Sequence, residues 1–269
     1  MSPMRLPAAF VALWTHRSFI AESVKREFHA RYRGTQFGWL WAVLQPLAMI
    51  GVYTLIFTRL MRSTLPAHAS PWAYSIYLCA GVLAWGLFAE LLGRGVGLFV
   101  NHANLLKKVN LPRLALPLIA VLSALLNYAI VMALFFVFLL LIGAFPGAVV
   151  LLAVPVLAIL VAFAVGLGLL GGVLNVFYRD IEHLLGIVLQ FWFWLTPLVY
   201  VERALPERVA AILRWNPLWP LIDALHGIFL DARPPAWGSL LYPALCALLL
   251  LALATAAYRR LSTDLIDEL

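Results

Sequence analysis

LALPLIAVLSALLNYAIVMALFFVFLLLIGAFPGAVVLLAVPVLAILVAFAVGLGLLGGVLNVFY, Leu114 to Tyr178, is a run of 65 residues without a charged side chain or a histidine. As one α-helix it would extend about 98 Å, against a bilayer hydrocarbon core of about 30 Å. The run must fold back on itself. Gly143-Ala144-Phe145-Pro146-Gly147 is the place, because glycine and proline interrupt helices. Two spans follow, near residues 116–142 and 149–175. Their apolar character is continuous rather than alternating, so they are helices and not barrel strands.

The rest of the chain agrees. Of 269 residues, 64% are hydrophobic and 12% charged. Soluble domains run at about 45–50% and about 25%. A soluble domain, a disordered tail and a disulfide-stapled module are all excluded. Cys79 and Cys246 lie in apolar runs and form no CxxC or Cys/His cluster, so no metal site is indicated. Further charge-free runs place spans near 38–57, 75–100, 183–201 and 239–258. The expectation is an all-α integral membrane protein, one transmembrane domain over residues 1–269 with six helices. Glu90 and Arg94 are the charges within those spans, spaced i,i+4 so that they can pair.

Basic residues set the orientation. Of 19 Lys and Arg, 13 fall on the side of both termini and 6 on the other. Cytoplasmic loops carry the excess, so both termini are expected in the cytoplasm. The net charge of +7 is then a membrane signal, not one for nucleic acid. The short apolar stretch Leu6 to Trp14 lacks a small-residue cleavage site, so no cleaved signal peptide is expected.

Two segments do not cross. Residues 10–33 read as an amphipathic helix, with Phe10, Leu13, Ile20, Val24 and Phe28 on one side. Glu22, Lys25, Arg26, His29 and Arg33 lie on the other, with Glu22–Arg26 and Glu27–Arg31 as i,i+4 pairs. Such a helix lies in the interface before the first span, in contact with lipid. Residues 203–237 are too charged to cross and too apolar for a free loop. Five prolines divide them, tryptophans flank them, and Leu221 to Leu230 has the length of a re-entrant helix.

Catalytic chemistry has no foothold. There is no GxxxxGK[ST] loop for nucleotide, no HExxH and no GxSxG, so no catalytic residue or metal ligand is assigned. Ion-coupled carriers keep charges within their spans. Here polar span residues are few: Gln45, Asn127, Asn175, Gln190 and Thr196, suited to helix–helix hydrogen bonds. Gly34/Gly38, Gly93/Gly97 and Gly168/Gly172 have the small-xxx-small spacing of close helix contact or dimer packing. A passive pathway worked by a separate motor is the simplest account.

Four motifs sharpen this: RYRGTQFGWLWAVLQPL (Arg31 to Leu47), NLLKKVNLPRLALPL (Asn104 to Leu118), NVFYRDIEHLLGIVLQFWFWLTPLVY (Asn175 to Tyr200) and WNPLWPLIDALHGIFLD (Trp215 to Asp231). In this order the chain resembles the permease subunits of bacterial ATP-binding-cassette (ABC) exporters for polysaccharides: O-antigen, capsule or teichoic acid. The resemblance implies two copies of this chain and two of a separate ATPase, which binds the ATP and Mg. It implies a location in the bacterial inner membrane and a lipid-linked polysaccharide as cargo. It implies a cytoplasmic coupling helix near 101–111, an N-terminal interface helix and re-entrant helices before the last span. Lys107, Lys108, Arg113, Arg179 and Asp180 are then the expected ATPase contacts. Trp41, Tyr53, Trp192, Trp194 and Tyr200 are the expected channel residues, since aromatic faces hold sliding sugar rings without fixing any one of them. The short turn at 143–147 leaves no large outer module, and nothing follows Leu269, so selection is expected in the channel or the ATPase. An exporter of drugs or other lipids, and a non-transporting scaffold, remain alternatives.

Overall fold

The computed structural model describes residues 14–32, 36–60, 70–103, 115–202 and 205–261. Among these it is all helical. The helices are α1 (Arg17–Tyr32), α2 (Trp41–Leu60), α3 (Ala73–Asn101), α4 (Ala115–Leu141), α5 (Ala153–Phe177), α6 (Ile181–Trp194), α7 (Glu207–Leu213), α8 (Leu218–Asp231) and α9 (Trp237–Leu261). Tighter 3₁₀ turns at Gly38–Leu40 and Gly147–Leu152 lead into α2 and α5. Among the described residues, four helical stretches are long and apolar enough to cross a membrane: α3, α4, Gly147–Phe177 and α9. Trp41–Leu55 and Ile181–Trp194 are shorter apolar helices. The chain is a multi-pass membrane protein.

The fold-back inside the 65-residue run forms as its residues require. Gly143 and Gly147 take positive φ values of 69° and 66°, which glycine adopts without Cβ strain. The Ala144 amide donates to the Leu139 carbonyl at 2.9 Å and closes the end of α4.

Helix α3 is the centre of the molecule. Helices α2, α4, α5, α6 and α8 all pack on it, and buried residues run round its whole circumference. Its closest neighbour is α5, and glycine makes that possible. A Cβ on Gly95 would stand 2.7 Å from the Gly168 Cα, and one on Gly172 2.4 Å from the Gly95 carbonyl oxygen. The Gly168/Gly172 pair therefore serves a contact within one chain, with Gly95 as its partner. Gly93 faces open space. On its other side α5 meets α9, where a Cβ on Gly166 would touch the Leu251 amide at 2.9 Å.

Two expectations are corrected. The fifth span was expected to continue from 183 to 201, but α6 ends at Trp194 and Leu195 to Tyr200 form turns. Fourteen residues rise only about 21 Å. Pro197 has no N–H to donate back to the Phe193 carbonyl, which accepts from the Thr196 amide at 3.3 Å instead, and tyrosines of α3 take up carbonyls of the turns that follow. The apolar run through Val201 hid this break. The helix expected at Leu221 to Leu230 is also longer: α8 spans Leu218–Asp231 and buries Leu221, Ile222, Leu225, Ile228 and Phe229. It ends at Ala232 in the left-handed conformation, φ 49°.

Candidate functional site

Several polar residues of the spans gather in two clusters, while Asn175 lies in neither and donates from Nδ2 to the Val96 carbonyl at 3.2 Å. Helix α1 builds the first cluster. Its Ile20 is buried against Ala115 and Ile119 at the start of α4, while Glu22, Lys25 and Arg26 are exposed. Lys25 Nζ reaches Glu22 at 3.5 Å, and Arg26 donates to Ser23 Oγ at 3.1 Å. Glu27 and Arg31 have a larger role than local pairing. They turn toward α3 and meet its two charges. Arg94 Nε donates to Glu90 Oε1 at 3.0 Å, which is the i,i+4 pair expected from the spacing. Arg94 Nη1 donates to Glu27 Oε2 at 2.9 Å. Arg31 Nη2 donates to Glu90 Oε1, and Asn127 Nδ2 of α4 donates to Glu90 Oε2 at 3.1 Å. Glu90 thus ties three helices together, and the two carboxylates balance the two guanidiniums. Charges in a membrane helix are costly, and pairing of this kind is what makes them tolerable.

This cluster forms part of the wall of a chamber of about 630 Å³ between α2, α3 and α4. Arg31, Glu90 and Asn127 are in its lining, Trp41, Trp85 and Tyr128 are aromatic walls, and Gln45 lies on its α2 side.

The second cluster holds the end of α6. The single Tyr77 O–H lies between the carbonyls of Tyr200 at 2.8 Å and Pro197 at 3.1 Å and is shared by them, and Tyr74 Oη donates to Val199 O. Asn216 is the hub. Its Oδ1 accepts from Trp192 Nε1 at 2.9 Å and from the Leu218 amide at 3.1 Å. Its Nδ2 donates to Thr196 Oγ1 at 2.9 Å and Leu195 O at 3.2 Å. Below it the His226 ring stacks on Tyr77 at 3.7 Å between centroids, in a space that only Gly81 leaves open: a Cβ there would be 2.8 Å from His226 Nε2.

The expected channel residues do not share one environment. Trp41 is half exposed and lines the chamber. Tyr53 is half-buried against the core. Trp192 is half-buried beside Phe88 and Phe163, with its indole committed to Asn216. Trp194 is exposed, and the Tyr200 hydroxyl donates to the Trp194 carbonyl at 2.9 Å. Of the expected ATPase contacts, Arg179 and Asp180 are exposed in the tight connection from α5 to α6. Lys107, Lys108 and Arg113 lie outside the described residues, as do Arg33 and most of the segment 101–111. Glu27, Asn127, Asn216 and Tyr77 were not singled out as site residues from sequence. The motif WNPLWP carried Asn216 in plain view, between two tryptophans and before a proline.

Helix α6 has no buried residue. Leu184, Ile187, Val188, Phe191 and Trp194 are all exposed. On α2, Trp41, Leu44, Leu47, Val52 and Leu55 are exposed likewise.

A family profile described as ABC-2 type transporter matches residues 20–230. The chain belongs to the ABC-2 transporter membrane family. This ABC-2 chain is 30% identical over 248 residues to an O-antigen export system permease protein RfbA of Myxococcus xanthus, covering 91% of this chain and 93% of the other. It is 28% identical over 207 residues to a protein of the same name from Klebsiella pneumoniae, covering 77% and 78%. It is 24% identical over 239 residues to the polysialic acid transport protein KpsM of Escherichia coli, covering 87% and 90%. The match takes in both polar clusters.

Proposed function

We propose that this ABC-2 chain is the channel-forming permease subunit of an ATP-driven exporter that moves polysaccharide across the bacterial inner membrane. The observation that carries the reading is similarity over most of the chain to proteins named for O-antigen export and polysialic acid transport. Its cargo is a lipid-linked glycan such as O-antigen or capsule. Two copies form one conduit, because a hydrophilic polymer cannot cross lipid without a lined path. The exposed apolar and aromatic faces of α2 and α6 support their use as the seam between copies.

In this arrangement six helices cross, with both termini cytoplasmic. Helix α6 and the turns to Tyr200 together serve as the fifth crossing, and α7 and α8 are the re-entrant pair at the outer mouth. Helix α1 lies at the cytoplasmic interface. ATP hydrolysis belongs to two copies of a separate ATPase, which dock on the segment near 101–111, with Lys107, Lys108 and Arg113, and on Arg179 and Asp180. Trp41, Tyr53, Trp194 and Tyr200 are the aromatic contacts of the sliding chain, with Trp192 holding the wall behind them.

Deleting the gene tests this. Lipid-linked glycan should accumulate inside the cell, seen by mass spectrometry, and surface glycan should disappear. Wild-type surface glycan in the deletion strain would refute the reading. For the aromatics, alanine variants of the five should assemble with the ATPase but export more slowly. Wild-type export from all five would make those rings membrane anchors.

A further inference from the structure

The chamber between α2, α3 and α4 is lined by residues of one chain, and Trp41 joins it to the exposed face of α2. We infer that it is a binding subsite for an uncharged sugar unit of the exported polymer. This rests on the exporter reading and assigns it a place inside each permease. The argument begins with size. About 630 Å³ falls within the roughly 300–1,000 Å³ of small-molecule sites. The chemistry of the walls follows. Trp41, Trp85 and Tyr128 give flat faces for the apolar C–H side of a pyranose. Arg31, Glu90 and Asn127 bring a polar cluster to its lining, and Gln45 adds an amide. Glu90 Oε2 takes the Asn127 bond and retains lone-pair capacity for another donor, and the Gln45 and Asn127 side-chain carbonyls can accept as well. Hydroxyl groups are the ligands that use carboxylate and amide acceptors beside aromatic faces.

Charge decides the class of sugar. Glu27 and Glu90 offset Arg31 and Arg94, and both guanidiniums are engaged by carboxylates. The cluster therefore offers no net attraction to a phosphate or a sugar acid. A lipid tail is disfavoured at the other extreme. It needs a slot apolar from end to end, whereas this one has two charged groups and an amide in its lining. The chamber also abuts the ion network that joins α1 to α3 and α4, so a bound sugar would touch the residue on which the three helices converge, Glu90.

The test uses the full permease–ATPase complex in cells that make the glycan. The photoreactive residue p-benzoylphenylalanine replaces Met49 inside the chamber. In separate strains it replaces Trp194 on the exposed face of α6 and Leu248 on the exposed face of α9. Irradiation should attach glycan to the Met49 position and leave the Leu248 position bare. Trp41→Ala and Asn127→Leu should each lower the Met49 adduct about fivefold, the effect of losing one contact or hydrogen bond of ordinary net strength. Trp41→Phe should restore it, which a merely misfolded chain would not. Glycan on the Trp194 position with none at Met49 would overturn the subsite and leave the exporter reading standing. Phospholipid alone at Met49 would make the chamber a lipid site and overturn it too. Unchanged adducts in both Trp41→Ala and Asn127→Leu would overturn the subsite, because its aromatic wall and its polar groups would both be dispensable. Absence of glycan from all three positions in an assembled complex would overturn the exporter reading with it.

Discussion

Replacing Gly172 with alanine places a methyl carbon 2.4 Å from the carbonyl oxygen of Gly95, where ordinary contact begins near 3.4 Å. Helices α3 and α5 must separate by about 1 Å at their crossing to admit it. No rotamer change relieves this, because the obstacle is backbone. Overpacking of this kind costs about 1–3 kcal/mol. Since α3 also packs on four other helices, the movement is shared and the cost falls in the upper half of that range. Glycine-to-alanine in a helix returns about 0.8–1 kcal/mol, leaving a net loss of about 1–2 kcal/mol. At about 2–4 °C per kcal/mol for a chain of this size, the Tm should fall by roughly 2–8 °C. Gly93→Ala is the control. Nothing lies within 4 Å of its Cβ, so it collects the propensity gain without a clash and melts at or above wild type. The assay is thermal unfolding of the detergent-solubilised complex followed by tryptophan fluorescence. If Gly172→Ala and Gly93→Ala melt together, the close crossing does not exist and the glycine argument fails.

Glu27→Ala removes the 2.9 Å bond to Arg94 and should loosen α1, so amides 20–28 exchange hydrogen at least about fivefold faster while α9 is unchanged; equal protection would show that the apolar contacts of Ile20 suffice. Asn216→Leu strands the Trp192 indole and the Leu218 amide, and should open the buried Ala210 position to maleimide in an Ala210→Cys background, where continued protection would refute the hub. For topology, Ile212→Cys, well exposed, should label from outside intact cells and Leu265→Cys only after permeabilisation; external labelling at 265 would invert the orientation. Reversing Lys107, Lys108, Arg113, Arg179 and Asp180 together should abolish copurification of the ATPase while membrane insertion persists, and normal copurification would remove these loops from the docking surface.

The helices were legible where lipid alone dictates them. Charge-free length located the helical segments, and two glycines and a proline marked the hairpin inside the longest run. The Glu90–Arg94 pair was legible as well, because both lie on one helix and its geometry fixes their distance. Contacts between helices were not. Arg31 meets Glu90 across 59 positions and Glu27 meets Arg94 across 67, and no local periodicity encodes such a meeting. The glycine pattern showed that some close approach was needed but left its partner open: Gly95 was outside the spacing that drew notice, and the contact lies within the chain. The end of α6 misled for a different reason. Hydropathy continues to Val201, so only Pro197 hinted at the break, and the tyrosines that make it tolerable sit about 120 positions earlier. At the candidate site the aromatic residues were visible, but their roles depend on packing. Trp41 opens on the chamber whereas Trp192 spends its indole N–H on Asn216.

Helix α3 carries the ion cluster and the glycine crossing at different points in the order of synthesis. Its charges meet their partners early: Glu27 and Arg31 have left the ribosome before Arg94, Glu90 arrives with it, and Asn127 comes one helix later. The glycine face has to wait for Gly168 and Gly172, and Tyr77 waits for His226. A nascent chain halted after α4 therefore already holds its charges neutralised, but α3 still presents an unfilled groove to lipid. The partners of α3's charges thus all lie in the N-terminal half of the chain, whereas its packing is complete only once α5 and α8 have emerged.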